Sequence, residues 1–160
     1  MFTPKPHSNK VRLVTDYTHL NKRVRRSVRG SATAKQIRER FKASSRWFAA
    51  MDLNNGYFQV PLAEESKDVT TFMVSQNDAA VRYRYNRAPQ GLASSGDEFC
   101  ARTDEAFHGI PTLQKLIDDV VVEDETRRWT GCWSRWRRYS RVAENTIFSC
   151  RRKKFKSDKR

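Results

Sequence analysis

Two places where acid interrupts apolar sequence constrain this chain more than anything else in it. Trp47-Phe48-Ala49-Ala50-Met51 is followed at once by Asp52, and Asp118-Asp119 lies between Leu116-Ile117 and Val120-Val121-Val122. Short apolar runs of this kind read as buried strands, and a carboxylate beside a core is costly unless it is paired or binds a cation. The first run is expected to be a strand that Asp52 stops. The second and third are expected to form a hairpin over 113–122 with both carboxylates at its tip. Two readings of the acids stand side by side. They are ordinary strand ends, or three ligands converging on a pair of divalent cations about 4 Å apart, the clamp that in-line phosphoryl transfer uses.

The rest of the chain supplies short elements of both kinds. Val11 to Tyr17 is β-rich, and Thr33 to Phe41 has the i, i+4 apolar spacing of a helix through Ile37 and Phe41. Asn54-Asn55-Gly56 is a turn. Val69 to Ser75 and Val81 to Tyr85 read as a hairpin joined by residues 76–80, with Arg82 and Arg84 on the opposite side from Tyr83 and Tyr85. Pro89-Gln90-Gly91 breaks the chain. Ser95-Gly96-Asp97-Glu98 has the spacing of a capping box, opening a helix with Phe99, Thr103, Ala106 and Phe107 on one face that ends at Gly109-Ile110-Pro111. Strands and helices mix without a regular βαβ repeat, so the expected class is α+β.

Charge is layered along the 160 residues. The formal total of +14 divides into +11 over 1–50, −8 over 51–125 and +11 over 126–160. Basic flanks around an acidic centre suit a polyanionic partner, nucleic acid being the commonest, and equally a solvated charged surface. Leu, Ile, Val and Phe make up 20% of the chain, a thin supply for a core. No apolar run is long enough to span a membrane, and the start carries no signal segment, so an intracellular protein, in cytoplasm or nucleus, with no membrane partner is expected. Cys100, Cys132 and Cys150 fit neither a disulfide framework nor a zinc motif, which leaves three reduced thiols. Beyond Glu125, Trp129, Trp133 and Trp136 sit among arginines with no period, and only Thr146 to Cys150 resembles a strand. The expected division is therefore 1–125 as the folded part and 126–160 as a basic, Trp/Arg-rich tail, degenerate or disordered.

Several segments, in order, resemble the reverse transcriptases of gypsy-type retrotransposons. They are Val11-Arg12-Leu13-Val14-Thr15-Asp16-Tyr17 with Leu20-Asn21-Lys22, then Asp52-Leu53-Asn54-Asn55-Gly56-Tyr57-Phe58-Gln59, Thr70-Thr71-Phe72, Pro89-Gln90-Gly91-Leu92 and Leu116-Ile117-Asp118-Asp119. The resemblance implies the fingers and palm of a right-hand polymerase with an antiparallel palm sheet and no thumb within the chain. It further implies catalytic Asp52, Asp118 and Asp119 holding two Mg²⁺, or Mn²⁺ in their place. Tyr57 would lie under the deoxyribose and exclude a 2′-hydroxyl, Gln90 and Gly91 would brace the incoming dNTP, and Arg12 and Lys5 would grip its phosphates. For each of these a structural role (packing, a plain turn, a solvated surface) is the competing reading. The partners implied are an RNA or DNA template with its primer, dNTPs, and other Pol domains or chains supplying the thumb. Two further readings are a catalytically inactive remnant that only binds nucleic acid and a two-metal nuclease. Leu116 departs from the tyrosine that usually opens the second acidic motif.

Overall fold

The structure, a computed structural model, describes residues 2–4, 9, 11–27, 30, 32–77, 79–125, 134, 137–139, 141 and 150–157. In chain order the elements are β1 (Phe2–Pro4), β2 (Val11–Leu13), α1 (Thr18–Asn21), α2 (Ala34–Arg40), β3 (Trp47–Leu53), α3 (Glu64–Lys67), β4 (Phe72–Gln76), β5 (Ala79–Tyr83), α4 (Ala93–Ala106), β6 (Leu113–Leu116), β7 (Asp119–Asp124) and β8 (Cys150–Ser157). Every strand pairing is antiparallel. Mixed helices and antiparallel sheets make the class α+β, as the unrepeated element order predicts. The chain divides into two units, one of Met1–Val28 with Tyr57–Glu98 and one of Arg29–Gly56 with Phe99–Arg160.

The second unit is built on a four-stranded sheet of order β6-β7-β3-β8. β3 is central, and its burial alternates: Ala49, Met51 and Leu53 are fully buried while Phe48, Ala50 and Asp52 are not. Period-two alternation assigns those sets to opposite faces. Val120 and Val122, in register with Met51 and Ala49, continue the buried face. The second half of α4 covers that face: Lys115, in register with Val120, donates from Nζ to the Cys100 carbonyl at 3.1 Å and the Thr103 hydroxyl at 2.6 Å. Phe99 on the same helix is fully buried. Its ring leaves no room at Gly56, where a Cβ would lie 2.7 Å from Phe99 Cζ. Gly56→Ala is therefore expected to cost about 1–3 kcal/mol as an overpacked core does, read as a lowered denaturant midpoint; an unchanged midpoint would refute the close approach.

The opposite face carries α2. Ala34, Ile37, Arg38 and Phe41 line a cavity of about 270 Å³ with Ala50, Leu116, Asp119 and Val121, and Phe41 meets Phe48 edge-on at 5.2 Å. The helix expected over 33–41 runs from Ala34 to Arg40, with Thr33 as N-cap in a reciprocal box with Gln36.

Several expectations need correcting. Asp52 does not stop β3; it lies inside it, because β7 pairs with the strand as far as Asp52↔Asp119 and β8 as far as Leu53↔Cys150. Ser95 does not cap α4, which begins two residues earlier, where Asn21 Oδ1 accepts the Ala93 N–H at 2.8 Å. The 72–83 hairpin is tighter than expected, both strands growing into residues 76–80 around Asn77, which takes φ +49°. Past residue 125, β8 adds a strand where only a basic run was expected, pairing with β3 from Trp47↔Ser157 to Leu53↔Cys150, and Tyr139 lies 3.3 Å from the Thr112 hydroxyl. Trp129, Trp133, Trp136 and the strand expected from Thr146 lie outside the described residues, Cys150 excepted.

The first unit holds the β1–β2 and β4–β5 pairs and buries Tyr17, Val60, Thr70, Ala88 and Leu92. Tyr17 donates its hydroxyl to the Thr70 carbonyl at 3.1 Å, and burial pushes its ionisation up to about 12. The folded chain thus holds the phenol proton where the unfolded chain, near pH 10, has begun to release it. Stability from this group is complete below pH 10 and drains away as pH rises toward 12. Tyr17→Phe is expected to flatten that loss in an alkaline denaturation series; an identical slope in both proteins rules Tyr17 out as its source.

Candidate active site

Asp52 on β3 is in register with Asp119 on β7. Directly opposed residues of an antiparallel pair lie on one face with Cβ atoms about 4.5–5.5 Å apart, so two carboxylates share a sheet face. Asp118 occupies the turn between β6 and β7, and its carbonyl accepts the Leu53 N–H at 2.9 Å, tying the turn to the end of β3. The acids expected together at a hairpin tip are thus divided: Asp118 at the tip, Asp119 the first residue of β7. Ile117, beside Asp118, holds φ +54°, a conformation that a β-branched side chain resists.

Among the described residues no three His, Cys, Asp or Glu side chains form a group able to hold a metal ion by themselves. Mg²⁺ usually takes one or two protein carboxylates and completes its shell with water and substrate phosphate oxygens. Asp52 and Asp119, opposed on one sheet face, are two such carboxylates.

The remaining candidates lie in the first unit. Tyr57 is half-buried in a short 3₁₀ turn over Gly56–Gln59, and a Cβ on Gly96 would stand 3.9 Å from its hydroxyl. Gln90 and Gly91 form a turn in which Gly91 holds φ +92° and a Cβ would come within 3.2 Å of the Thr15 carbonyl oxygen. Both facts require glycine there. Asn21 staples this turn: its amide donates to the Gly91 carbonyl at 2.9 Å and accepts from Ala93. Sequence reasoning noted Asn21 without giving it a task. Its only sequence signal was its place in the Leu20-Asn21-Lys22 segment of the resemblance. Arg12 sits in the middle of β2, in register with Thr3, and Lys5 lies outside the described residues.

Arg84 is committed to carboxylates, at 2.7 Å from Glu64 and 2.8 Å from Asp68, which raises its own pKa, while Glu64, paired first with Lys67, is lowered. Arg82 stays exposed. Arg26 grips Asp97 in the first turns of α4 through two bonds of 3.0 and 3.1 Å, and its pKa rises accordingly.

A central strand and an adjoining hairpin place two acids in register on one face of an antiparallel sheet. Solved structures share this fold: a foamy viral protease–reverse transcriptase in complex with double-stranded DNA matches with a TM-score of 0.79 at 21% identity over 93% of this chain and 25% of that one. Another, in complex with an RNA/DNA hybrid, gives 0.75 at 23% identity over 92% and 19%. The chain belongs to the reverse transcriptase (RNA-dependent DNA polymerase) family, whose sequence model matches residues 3–128. Among curated relatives, the retrovirus-related Pol polyprotein from transposon 412 of Drosophila melanogaster is 30% identical over 122 residues, 75% of this chain and 10% of that protein. The Pro-Pol polyprotein of simian foamy virus type 1 is 27% identical over 123 residues, 76% and 10%. The chain spans about a tenth of the length of these relatives. Among the described residues no helix is long and apolar enough to cross a membrane.

Proposed function

We propose that this chain supplies the fingers and palm of an RNA-directed DNA polymerase, with residues 1–125 as the core and β8 added to the palm sheet from the basic segment. The observation that carries the reading is the opposition of Asp52 and Asp119 on one sheet face, in a chain of this family. The reaction is addition of a dNTP to a primer 3′-hydroxyl on an RNA or DNA template. The 3′-oxygen bonds to the α-phosphorus and pyrophosphate leaves. Asp52, Asp118 and Asp119 would hold two Mg²⁺, or Mn²⁺, whose positive charge, when bound, would favour ionisation of the attacking hydroxyl and offset charge on the phosphates. Tyr57 sets its ring where a 2′-hydroxyl would fall, so that selection of deoxyribose is a steric penalty. Gln90 and Gly91 brace the nucleotide from a turn that Asn21 keeps rigid. Arg12 and Lys5 bind the triphosphate, Arg12 with a planar fork suited to phosphate. A thumb contributed by another Pol domain or chain would lengthen its hold on the duplex.

Primer extension tests this. The purified chain is expected to lengthen a primer on a template with Mg²⁺ present, and Asp118→Asn to stop it. Binding of primer–template without extension in either protein assigns the chain instead to the second reading, a remnant that only holds nucleic acid. Leu116 in place of the family's tyrosine spares both acids of the second motif and would alter only packing against the primer end. Metal-dependent degradation of the strands would make it a nuclease.

A further inference from the structure

The turn that carries Asp118 is strained, and its own tip does not offset the cost. β6 ends at Leu116 and β7 begins at Asp119. Of the residues between them Ile117 alone takes a positive φ, +54°. That is the φ pattern of a II′ hairpin turn, which favours glycine at its first position. Ile117 is β-branched and 38% exposed, so its side chain recovers little by packing. Such a conformation persists only where the surroundings over-determine it. One anchor is the bond from the Leu53 N–H to the Asp118 carbonyl at 2.9 Å. The other is on β6. The Lys115 side chain is 13% exposed, and its ammonium meets three acceptors on α4: the Cys100 carbonyl at 3.1 Å, the Thr103 hydroxyl at 2.6 Å and an Asp104 carboxylate oxygen at 2.6 Å. Thr103 is fully buried, and its hydroxyl is within hydrogen-bond distance of the Phe99 and Cys100 carbonyls, which fixes the acceptor that Lys115 finds there. Lys115 is in register with Val120, one step before the Leu116↔Asp119 pair that closes the hairpin.

We propose that Lys115 is a positioning residue for the acidic turn. By fixing β6 to α4 just before the closing pair, it holds Ile117 in its left-handed conformation and keeps Asp119 opposite Asp52. Released from that clamp, β6 shifts until Ile117 relaxes, and the two acids part. Burying an ammonium costs desolvation that an apolar side chain at the same place would not. Three acceptors offset that cost, and the long stem reaches from strand to helix. The proposal rests on the polymerase reading for what the acids do; the hold on the turn is a property of the fold itself.

A double-mutant cycle of Lys115→Met with Ile117→Gly tests it. Methionine keeps most of the stem and removes the donors. In denaturant titrations of the full chain, Ile117→Gly is expected to shift the midpoint more favourably in the parent, where strain is enforced, than in the Lys115→Met background, where it has been released. The cost of glycine in the unfolded chain is common to both backgrounds and drops out. Equal shifts overturn the proposal. Primer extension gives the complementary reading. Lys115→Met is expected to lower kcat about tenfold, the shift that relief of one left-handed β-branched residue can drive, with KM for dNTP within about twofold. In the Ile117→Gly background the same substitution is expected to cost less than about threefold, because no strain is left to relieve. Equal losses in both backgrounds make Lys115 a general support of the fold and overturn the positioning role, as does no loss at all. Should Lys115→Met not fold, Asp104→Asn, at the exposed end of the clamp, takes its place in the cycle. About a threefold loss is then expected in the parent background and none beside Ile117→Gly, and identical factors overturn the proposal. A parent that extends no primer fails the polymerase reading, and the midpoint cycle alone then decides whether Lys115 holds the turn.

Discussion

Asp119→Asn is expected to lose primer extension by about a thousandfold or more while making the metal-free chain more stable. The two effects share one cause. Asp52 and Asp119 are in register on adjacent strands, and like charges directly opposite destabilise a sheet. Replacing one by an amide of the same shape removes that repulsion, so the melting temperature in chelator should rise by a few degrees. Extension falls because a cation that draws much of its protein ligation from the pair loses several kcal/mol of charge stabilisation in the transition state, and about 4 kcal/mol is a thousandfold. A third readout links them. Added Mg²⁺ should raise the melting temperature of the parent by mass action, and raise that of the variant less. A variant that melts lower in chelator and still extends primers would sink the assignment of Asp119 as a metal ligand. Stability given up at a site for its chemistry is a common trade.

Glu123→Ala is expected to destabilise the second unit by about 3 kcal/mol. Glu123 is 2% exposed, and its Oε2 accepts both the Lys42 N–H at 3.0 Å and the Ser45 hydroxyl at 2.5 Å. These bonds hold the segment that leads from α2 into β3, so the approach to the strand bearing Asp52 is fixed from β7. Hydrogen bonds to a charged group contribute about 1.5–3 kcal/mol, and removing their acceptor leaves two donors to find water. Glu123→Gln keeps one acceptor oxygen and should cost about half as much. Glu125 offers an internal comparison. It pairs with Lys42 Nζ at 2.5 Å and with Ser44, but at the surface, where ion pairs contribute at most about 1 kcal/mol. Equal losses for Glu123→Ala and Glu125→Ala in denaturant titrations would show that burial of the acceptor does not matter here.

How far the amino-acid sequence foretold this depends on whether an element carries its own signal. β3 and the β6–β7 hairpin are visible as apolar runs, and α2 through Ile37, Phe41 and a Thr33-x-x-Gln36 box that could have been read as such. The start of α4 was misplaced because its cap comes from Asn21, some seventy residues earlier, and a local spacing at Ser95 imitated one. β8 gives no local signal at all. Five basic residues in eight lack the alternation of a half-buried strand, and it is a strand because β3 offers it an edge. The candidate acids were legible as residues, but their relation was not. The opposition of Asp52 to Asp119 is a matter of register, decided by the pairing from Trp47↔Asp124 onward. Glu123 was equally hidden, since its partners belong to a loop eighty residues away.

The pairing of β3 with β8 also sets the order in which this sheet can be finished. β3 meets one neighbour, β7, after some seventy residues and the other, β8, after roughly a hundred. Synthesis at about 5–20 residues per second leaves the Asp52 strand with one side open for several seconds before its last partner emerges from the ribosome. Contacts of such long sequence separation are slow to form in any case. During that interval the apolar Trp47–Met51 stretch is an open edge awaiting β8, and a chain cut before residue 150 would keep it open.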